Sequence, residues 1–128
     1  MKELRFERDK RLLTAADYSA VFEKNRCFKD RAFLILVKKR LVEGEDFTHE
    51  KSQPRLGLAV SKKNFKKAVD RNLIKRIIRE SFRLHQASLK GLDIVVMSRG
   101  TTSVADRAAL HTSLERHWEK IIETCGQY

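Results

Sequence analysis

Apolar positions in this chain follow two different patterns. Short continuous runs, Ala32-Phe33-Leu34-Ile35-Leu36-Val37, Leu56-Gly57-Leu58-Ala59-Val60 and Ile94-Val95-Val96-Met97, read as strands. The first run predicts a strand over Arg31–Leu41, with a shorter one over Arg26–Lys29 before it. The second predicts a strand over Arg55–Ser61, bounded by Pro54 and the Lys62-Lys63 pair, and the third one over Leu92–Ser98, entered from Gly91 and left at Gly100. The polar, turn-rich segment Glu43–Pro54 reads as a hairpin loop between the first two. Elsewhere the spacing is helical. Thr14 and Asp17 resemble a capping box that opens a helix to about Lys24, on which Tyr18 and Phe22 stand at i and i+4. A second helix runs from about Lys66 to Gln86. Ser103 with Asp106 suggests another capping box, and Leu110, Leu114, Trp118 and Ile121 give the last helix its apolar stripe. The order α-β-β-β-α-β-α predicts an α+β fold, a two-layer α/β sandwich of helices on a small mixed sheet.

Composition limits this picture to one domain. The 128 residues are 41% hydrophobic and 35% charged with 1 Pro and 5 Gly, which suits a single domain over 1–128 without linker or disordered tail. No apolar run approaches the ~20 residues of a membrane span, and the charged start Met1–Lys10 is unlike a signal peptide, so a cytoplasmic protein is expected. Cys27 and Cys125 lie far apart and outside any C-x-x-C pair, and read as reduced thiols.

Charge then points to a partner. Lys and Arg total 28 against 17 Asp and Glu, a net charge of +11 that fits a polyanion. Most of it lies in Arg55–Arg83, whose ten basic residues include Lys62, Lys63, Lys66, Lys67, Arg71, Lys75, Arg76, Arg79 and Arg83, against Asp70 and Glu80 only. At ~100° per residue, Arg71, Asn72, Lys75, Arg76, Arg79 and Arg83 fall within an arc of ~140°, with Leu73, Ile74, Ile77, Ile78 and Leu84 roughly opposite. A solvated helix face ordinarily mixes both signs, so a face this one-sided suits a phosphate backbone, with Arg forks pairing two oxygens and Asn72 reaching a base edge or ribose hydroxyl. A membrane-surface helix fits less well, because the apolar arc is needed to cover the sheet and only Phe82 borders the cationic side.

The run Lys62-Lys63-Asn64-Phe65-Lys66-Lys67-Ala68-Val69-Asp70-Arg71-Asn72-Leu73-Ile74-Lys75-Arg76-Ile77-Ile78-Arg79-Glu80-Ser81-Phe82-Arg83 closely resembles the signature of the bacterial ribonuclease P protein subunit. Arg11-Leu12-Leu13-Thr14, Asp17-Tyr18, Val21-Phe22, Pro54 to Leu58 and Asp93 to Val96 extend the resemblance over about Phe6–Trp118. The family usually has arginine where this chain has Leu73, which by helical spacing faces the core. The resemblance implies a ribosomal-protein-like fold, a four-stranded sheet with a left-handed crossover between two parallel strands against the usual right-handed rule. It also implies that a catalytic RNA subunit, with bound Mg, cuts the 5′ leader from precursor tRNA while the protein, itself monomeric apart from the RNA, assists.

Arg71, Asn72, Lys75, Arg76 and Arg79 are then the carried-over contacts to the RNA subunit, on a helix bordering a cleft shared with the first helix and the sheet. Tyr18 and Phe22 match aromatic positions on the wall of this leader-binding cleft. Phe33, Leu34 and Leu36 lie on the adjoining strand; alternation leaves its lining face open, and Leu36 is placed in the cleft with Tyr18 and Phe22. No catalytic residue and no protein metal site is expected. His49, His85, His111 and His117 lack ligand spacing and read as surface or core-edge residues, and Glu80 as a helix ion-pair or structural acid. The competing readings are a general structured-RNA-binding or ribosome-associated module, a nuclease acting without RNA, and a DNA-binding recognition helix, the last lacking its turn and partner helix.

Overall fold

A computed structural model describes residues 18–19, 21–22, 25–39 and 53–125 of the chain. Its elements are β1 (Arg26–Lys29), β2 (Phe33–Lys39), β3 (Arg55–Ala59), α1 (Ala68–His85), a 3₁₀ turn (Gln86–Ser88), β4 (Leu92–Ser98) and α2 (Arg107–Cys125). Ahead of β1, Tyr18, Ser19, Val21 and Phe22 are helical, and Asn25 Nδ2 donates to the Val21 and Phe22 carbonyls. The capping box at Thr14 and Asp17 lies outside the described residues. The strands form one mixed sheet in the order β1-β2-β4-β3, with β4 antiparallel to β2 and parallel to β3. This is the expected α+β architecture.

One connection differs from its expectation. β2 and β3 are not hairpin partners, because β4 lies between them and pairs with both. A continuous apolar run such as Ile94-Val95-Val96 is suited to that central place, where both faces are covered.

Strand register divides the side chains between two faces. Phe28, Ile35, Val96 and Leu58 stand in one row and Val37, Ile94 and Leu56 in the next, and all join Ile74, Ile77, Ile78 and Phe82 of α1 and Leu110, Leu114, Trp118 and Ile121 of α2 in the main core. Leu36 and Val95 point to the opposite face, where Val21 completes a smaller cluster flanked by Tyr18 and Met97. The two helices meet through Trp118, fully buried, whose Nε1 donates to Ser81 Oγ at 2.7 Å and whose ring meets Phe82 edge-on. His85 and Glu115 pair at 2.8 Å at the edge of this contact. Gly91, at φ 78°, turns the chain into β4 in a conformation that disfavours any Cβ.

Element ends are decided by local hydrogen bonds. Asp30 accepts the amides of Ala32 and Phe33, so β2 begins at Phe33 rather than Arg31. β3 stops at Ala59, because the Ser61 amide turns to Ser98 Oγ at 3.1 Å. α1 covers Ala68–His85, within the expected span. At α2, Asp106 is itself the N-cap, accepting the Ala109 amide at 3.0 Å, while Ser103 Oγ takes Ala105 N in a separate turn. The predicted box is thus displaced by one turn. Leu84, expected inward, is 60% exposed, since Ile74, Ile78 and Ser81 centre the buried arc and place Leu84 ~90° away. Phe82 lies inside the core rather than on the cationic border.

His117 is a further correction. It is buried, 3.2 Å from Asp30 Oδ1, and Ser113 on the preceding turn of α2 donates to Asp30 Oδ2 at 2.6 Å. Burial alone would raise the Asp30 carboxyl, but the Ser113 hydroxyl, the Phe33 amide and His117 together hold it below the usual carboxylate range. A depressed folded-state pKa adds stability that is complete above the unfolded value and is lost as pH falls through the folded one. Asp30→Ala is therefore expected to cost about 1–2 kcal/mol near neutrality, and the gap to the parent should close below about pH 4. Urea titrations at several pH values measure it; a gap that persists undiminished near pH ~2 would deny the carboxylate this role.

Candidate nucleic-acid interface

The cationic surface begins where β3 ends. The Phe65 amide returns to the Ser61 carbonyl at 3.0 Å and Lys63 N–H donates to Ser61 Oγ at 3.0 Å, folding a compact turn whose Phe65 ring anchors in the main core. Lys62, Lys63, Asn64, Lys66 and Lys67 surround it, all exposed or nearly so except where Phe65 turns inward. Lys67 is the N-cap of α1 and supplies no side-chain cap, so the first amides of the helix add their partial positive charge to these lysines. Arg71 is half-buried and directed back at this loop, its Nη1 donating to the Phe65 carbonyl at 2.7 Å and the Lys66 carbonyl at 3.0 Å. It therefore braces the lysine-bearing turn as well as adding charge.

Along α1, Asn72, Arg76 and Arg79 are exposed and Lys75 and Arg83 half-buried beside them, so the predicted cationic face is presented outward. Leu73 packs against the main core, as its spacing implied. Glu80 is exposed on the same helix.

The second surface lies on the other face of the sheet. Leu36 packs with Val21 and Val95 there, whereas Phe33 is buried in the main core, so the two lie on opposite faces of β2. Register places Leu34 with Met97 and Ala59, and Leu36 with Cys27, Val95 and Gly57, as two adjoining rows of a mostly apolar floor. The Tyr18 hydroxyl accepts the Leu58 amide at 3.3 Å, tying the first helical segment to edge strand β3. Phe22, one helical turn later, is 48% exposed. The next row carries Lys38, Asp93 and Arg55, the last two joined in a two-pronged pair of 2.8 and 2.7 Å. Tyr18 and Leu36 thus come together as expected. The body of α1 packs on the opposite face of the sheet, so the helix does not wall this floor as the resemblance implied; the Ser61–Lys67 loop joins it to β3 at the floor's edge strand.

Comparison with known proteins shows the family. The family model described as Ribonuclease P matches residues 6–122. The chain belongs to the ribonuclease P protein family. It is 42% identical over 123 residues to the ribonuclease P protein component of Marinomonas sp. (strain MWYL1), covering 94% of this chain and 86% of that one. It is 41% identical to the component from Pseudomonas aeruginosa (strain PAO1), over 91% of this chain and 81% of the relative. Among solved structures, the RNase P protein of Staphylococcus aureus superposes with a TM-score of 0.72 at 32% identity, covering 89% of this chain and 95% of the other. That of Thermotoga maritima gives 0.71 at 28%, over 87% and 96%. Ribonuclease P proteins are components of an RNA–protein enzyme that processes tRNA endonucleolytically.

Some residues of interest carry no signal in the sequence. Lys29 and Cys27 share the floor face, which becomes legible only once the short turn Asp30-Arg31-Ala32 fixes the β1–β2 register. Asp30 meets Ser113 and His117, a pair one turn apart on α2, from a distant position in the sequence. Cys27 and Cys125 are free thiols, as expected; burial raises the Cys125 thiol, against the lowering influence of Arg26 and Lys39. His111 is exposed, His85 half-buried, and His49 lies outside the described residues. Among the described residues no three His, Cys, Asp or Glu side chains converge as metal ligands, and no helix is long and apolar enough to cross a membrane.

Proposed function

We propose that this chain is the protein subunit of a cytoplasmic ribonuclease P, holding the catalytic RNA subunit with its cationic loop and helix and the single-stranded 5′ leader of precursor tRNA on its apolar floor. Lys62, Lys63, Lys66, Lys67, Arg71, Asn72, Lys75, Arg76, Arg79 and Arg83 serve the first role. Tyr18, Phe22 and Leu36 serve the second. The observation that carries this division is the separation of the surfaces: phosphate-seeking cations on the crossover helix, and, on the opposite sheet face, an apolar floor covered by the helical segment that also bears the exposed Phe22 ring. Aromatic faces stack on bases without demanding a sequence, which suits varied leaders, while cations reduce repulsion between two polyanions. Magnesium belongs to the RNA in this reading, as the resemblance to the family implies.

The deciding experiment is cleavage of precursor tRNA at low magnesium by a bacterial RNA subunit with the protein, by the RNA alone, and by the protein alone. Activity needing both components is the expected result. Tight RNA binding with no stimulation at any magnesium concentration would leave a general structured-RNA-binding module instead. In the same assay Phe22→Ala is expected to weaken precursor binding about tenfold, for loss of one base stack, and to spare mature tRNA; equal loss for both would remove the leader from this surface.

A further inference from the structure

The turn between β1 and β2 is held more firmly than an exposed connection requires. All its carbonyls accept side-chain hydrogen bonds from the segment joining β4 to α2: Asp30 from Arg99 Nη1, Arg31 from the Thr101 hydroxyl and Ala32 from the Thr102 hydroxyl. Thr102 Oγ1 also accepts the Arg99 amide at 2.8 Å. From inside, the Asp30 carboxylate takes the Ala32 and Phe33 amides at 2.9 Å, the Ser113 hydroxyl at 2.6 Å, and faces His117 at 3.2 Å. The turn's own carboxylate is thereby directed inward, and Lys29 and Arg31, both exposed, flank it.

The place of this corner gives it a purpose. Lys29 lies opposite Leu34, Leu34 opposite Met97, and Met97 opposite Ala59, so Lys29 stands on the floor face at its β1 edge. Lys62 and Lys63 follow β3, the other edge strand, at the same end of the sheet. Strands ~4.8 Å apart put roughly 14 Å of apolar floor between these two cationic edges. A single strand that crosses the floor from edge to edge carries its phosphates past these cations.

We propose that Lys29 and Arg31 form a second, preorganised phosphate-binding corner, which takes the sugar-phosphate backbone of the precursor's leader where it runs off the floor past β1. This deepens the leader reading above and rests on it. A turn already fixed by its neighbours loses little freedom on binding, so its two charges act at full effect. The corner meets leader nucleotides beyond those on the floor, and its contribution depends on leader length.

The test uses the reconstituted holoenzyme and precursors with leaders of about two and about ten nucleotides, the long one exceeding the floor. Lys29→Ala with Arg31→Ala is expected to weaken binding of the long-leader precursor about five- to tenfold and to flatten its salt dependence by one to two units of slope, roughly one per lost cation. Binding of the short-leader precursor and assembly with the RNA subunit should be unchanged. Thr102→Val, which keeps both charges but frees the Ala32 carbonyl, should show part of the same length-dependent loss. Equal loss for both leaders, weakened assembly with the RNA subunit, or no loss at all from the double replacement would each overturn the proposal. Phe22→Ala serves as the separate control: if it spares both precursors, the leader reading itself has failed.

Discussion

Replacing Arg76 and Arg79 together with glutamate is expected to weaken binding of the RNA subunit by roughly 100-fold near 0.1 M salt, because about two phosphates go unneutralised and two repulsions take their place. Both side chains are exposed on α1, and the double change lowers the formal charge by four units from +11. Neutral replacement of the same pair should cost only about tenfold, because it removes counterion release without adding repulsion. The stability of the free protein should move by no more than about 0.5 kcal/mol, since neither residue touches the core, although glutamate at 76 meets Glu80 at i+4 with a small penalty. Assembly measured from low to high salt separates the cases. The parent and the variant should converge as salt rises, with the parent's slope steeper by about two units. Parallel salt curves for the two proteins would show that this face is solvated surface and that the RNA subunit docks elsewhere.

This surface is the most legible part of the molecule. A cationic arc opposite Ile74, Ile77 and Ile78 is a consequence of residue spacing alone, and the helix that results exposes Arg76 and Arg79 as that spacing demands. Strand runs are readable for the same reason, since Ile94-Val95-Val96 has no polar position to spare and occupies the centre of the sheet. Pairing is not readable. β2 and β3 follow one another across a polar segment that looks like a hairpin loop, yet β4, distant in sequence, takes the place between them, because the central position favours the strand that is apolar on both faces. The same blindness to long-range contacts hides the Asp30, Ser113 and His117 cluster, in which Asp30 lies 83 residues before Ser113. Arg71 shows a finer limit. Its charge and helical angle mark it as an RNA contact, but only the folded loop reveals that its guanidinium gives hydrogen bonds to the Phe65 and Lys66 carbonyls. The floor residue Leu36 requires the register too, since Phe33 is equally apolar and points the other way.

Trp118→Ala is expected to destabilise the protein by about 3–5 kcal/mol, a large part of the roughly 5–15 kcal/mol typical of a domain. The side chain is fully buried between the helices and the sheet, and its removal opens a cavity beside Phe82 while leaving the Ser81 hydroxyl without its indole donor. That hydroxyl can turn back to a carbonyl of its own helix, so the orphaned group adds less than the cavity does. Trp118→Phe separates the two contributions: it fills most of the space, loses only the Nε1 bond, and should cost about 1–2 kcal/mol. Chemical denaturation of the isolated chain measures both. A cost below about 1 kcal/mol for the alanine variant would mean that the α1–α2 interface is not where the core draws its stability. The functional consequence follows from placement. α1 carries the cationic face outward only because its inner arc is held on Trp118 and the sheet, so the alanine variant should lose RNA affinity in step with its folded fraction and recover it on cooling or with a stabilising osmolyte. The glutamate pair at 76 and 79 should show no such recovery, which distinguishes a weakened scaffold from a reversed surface charge.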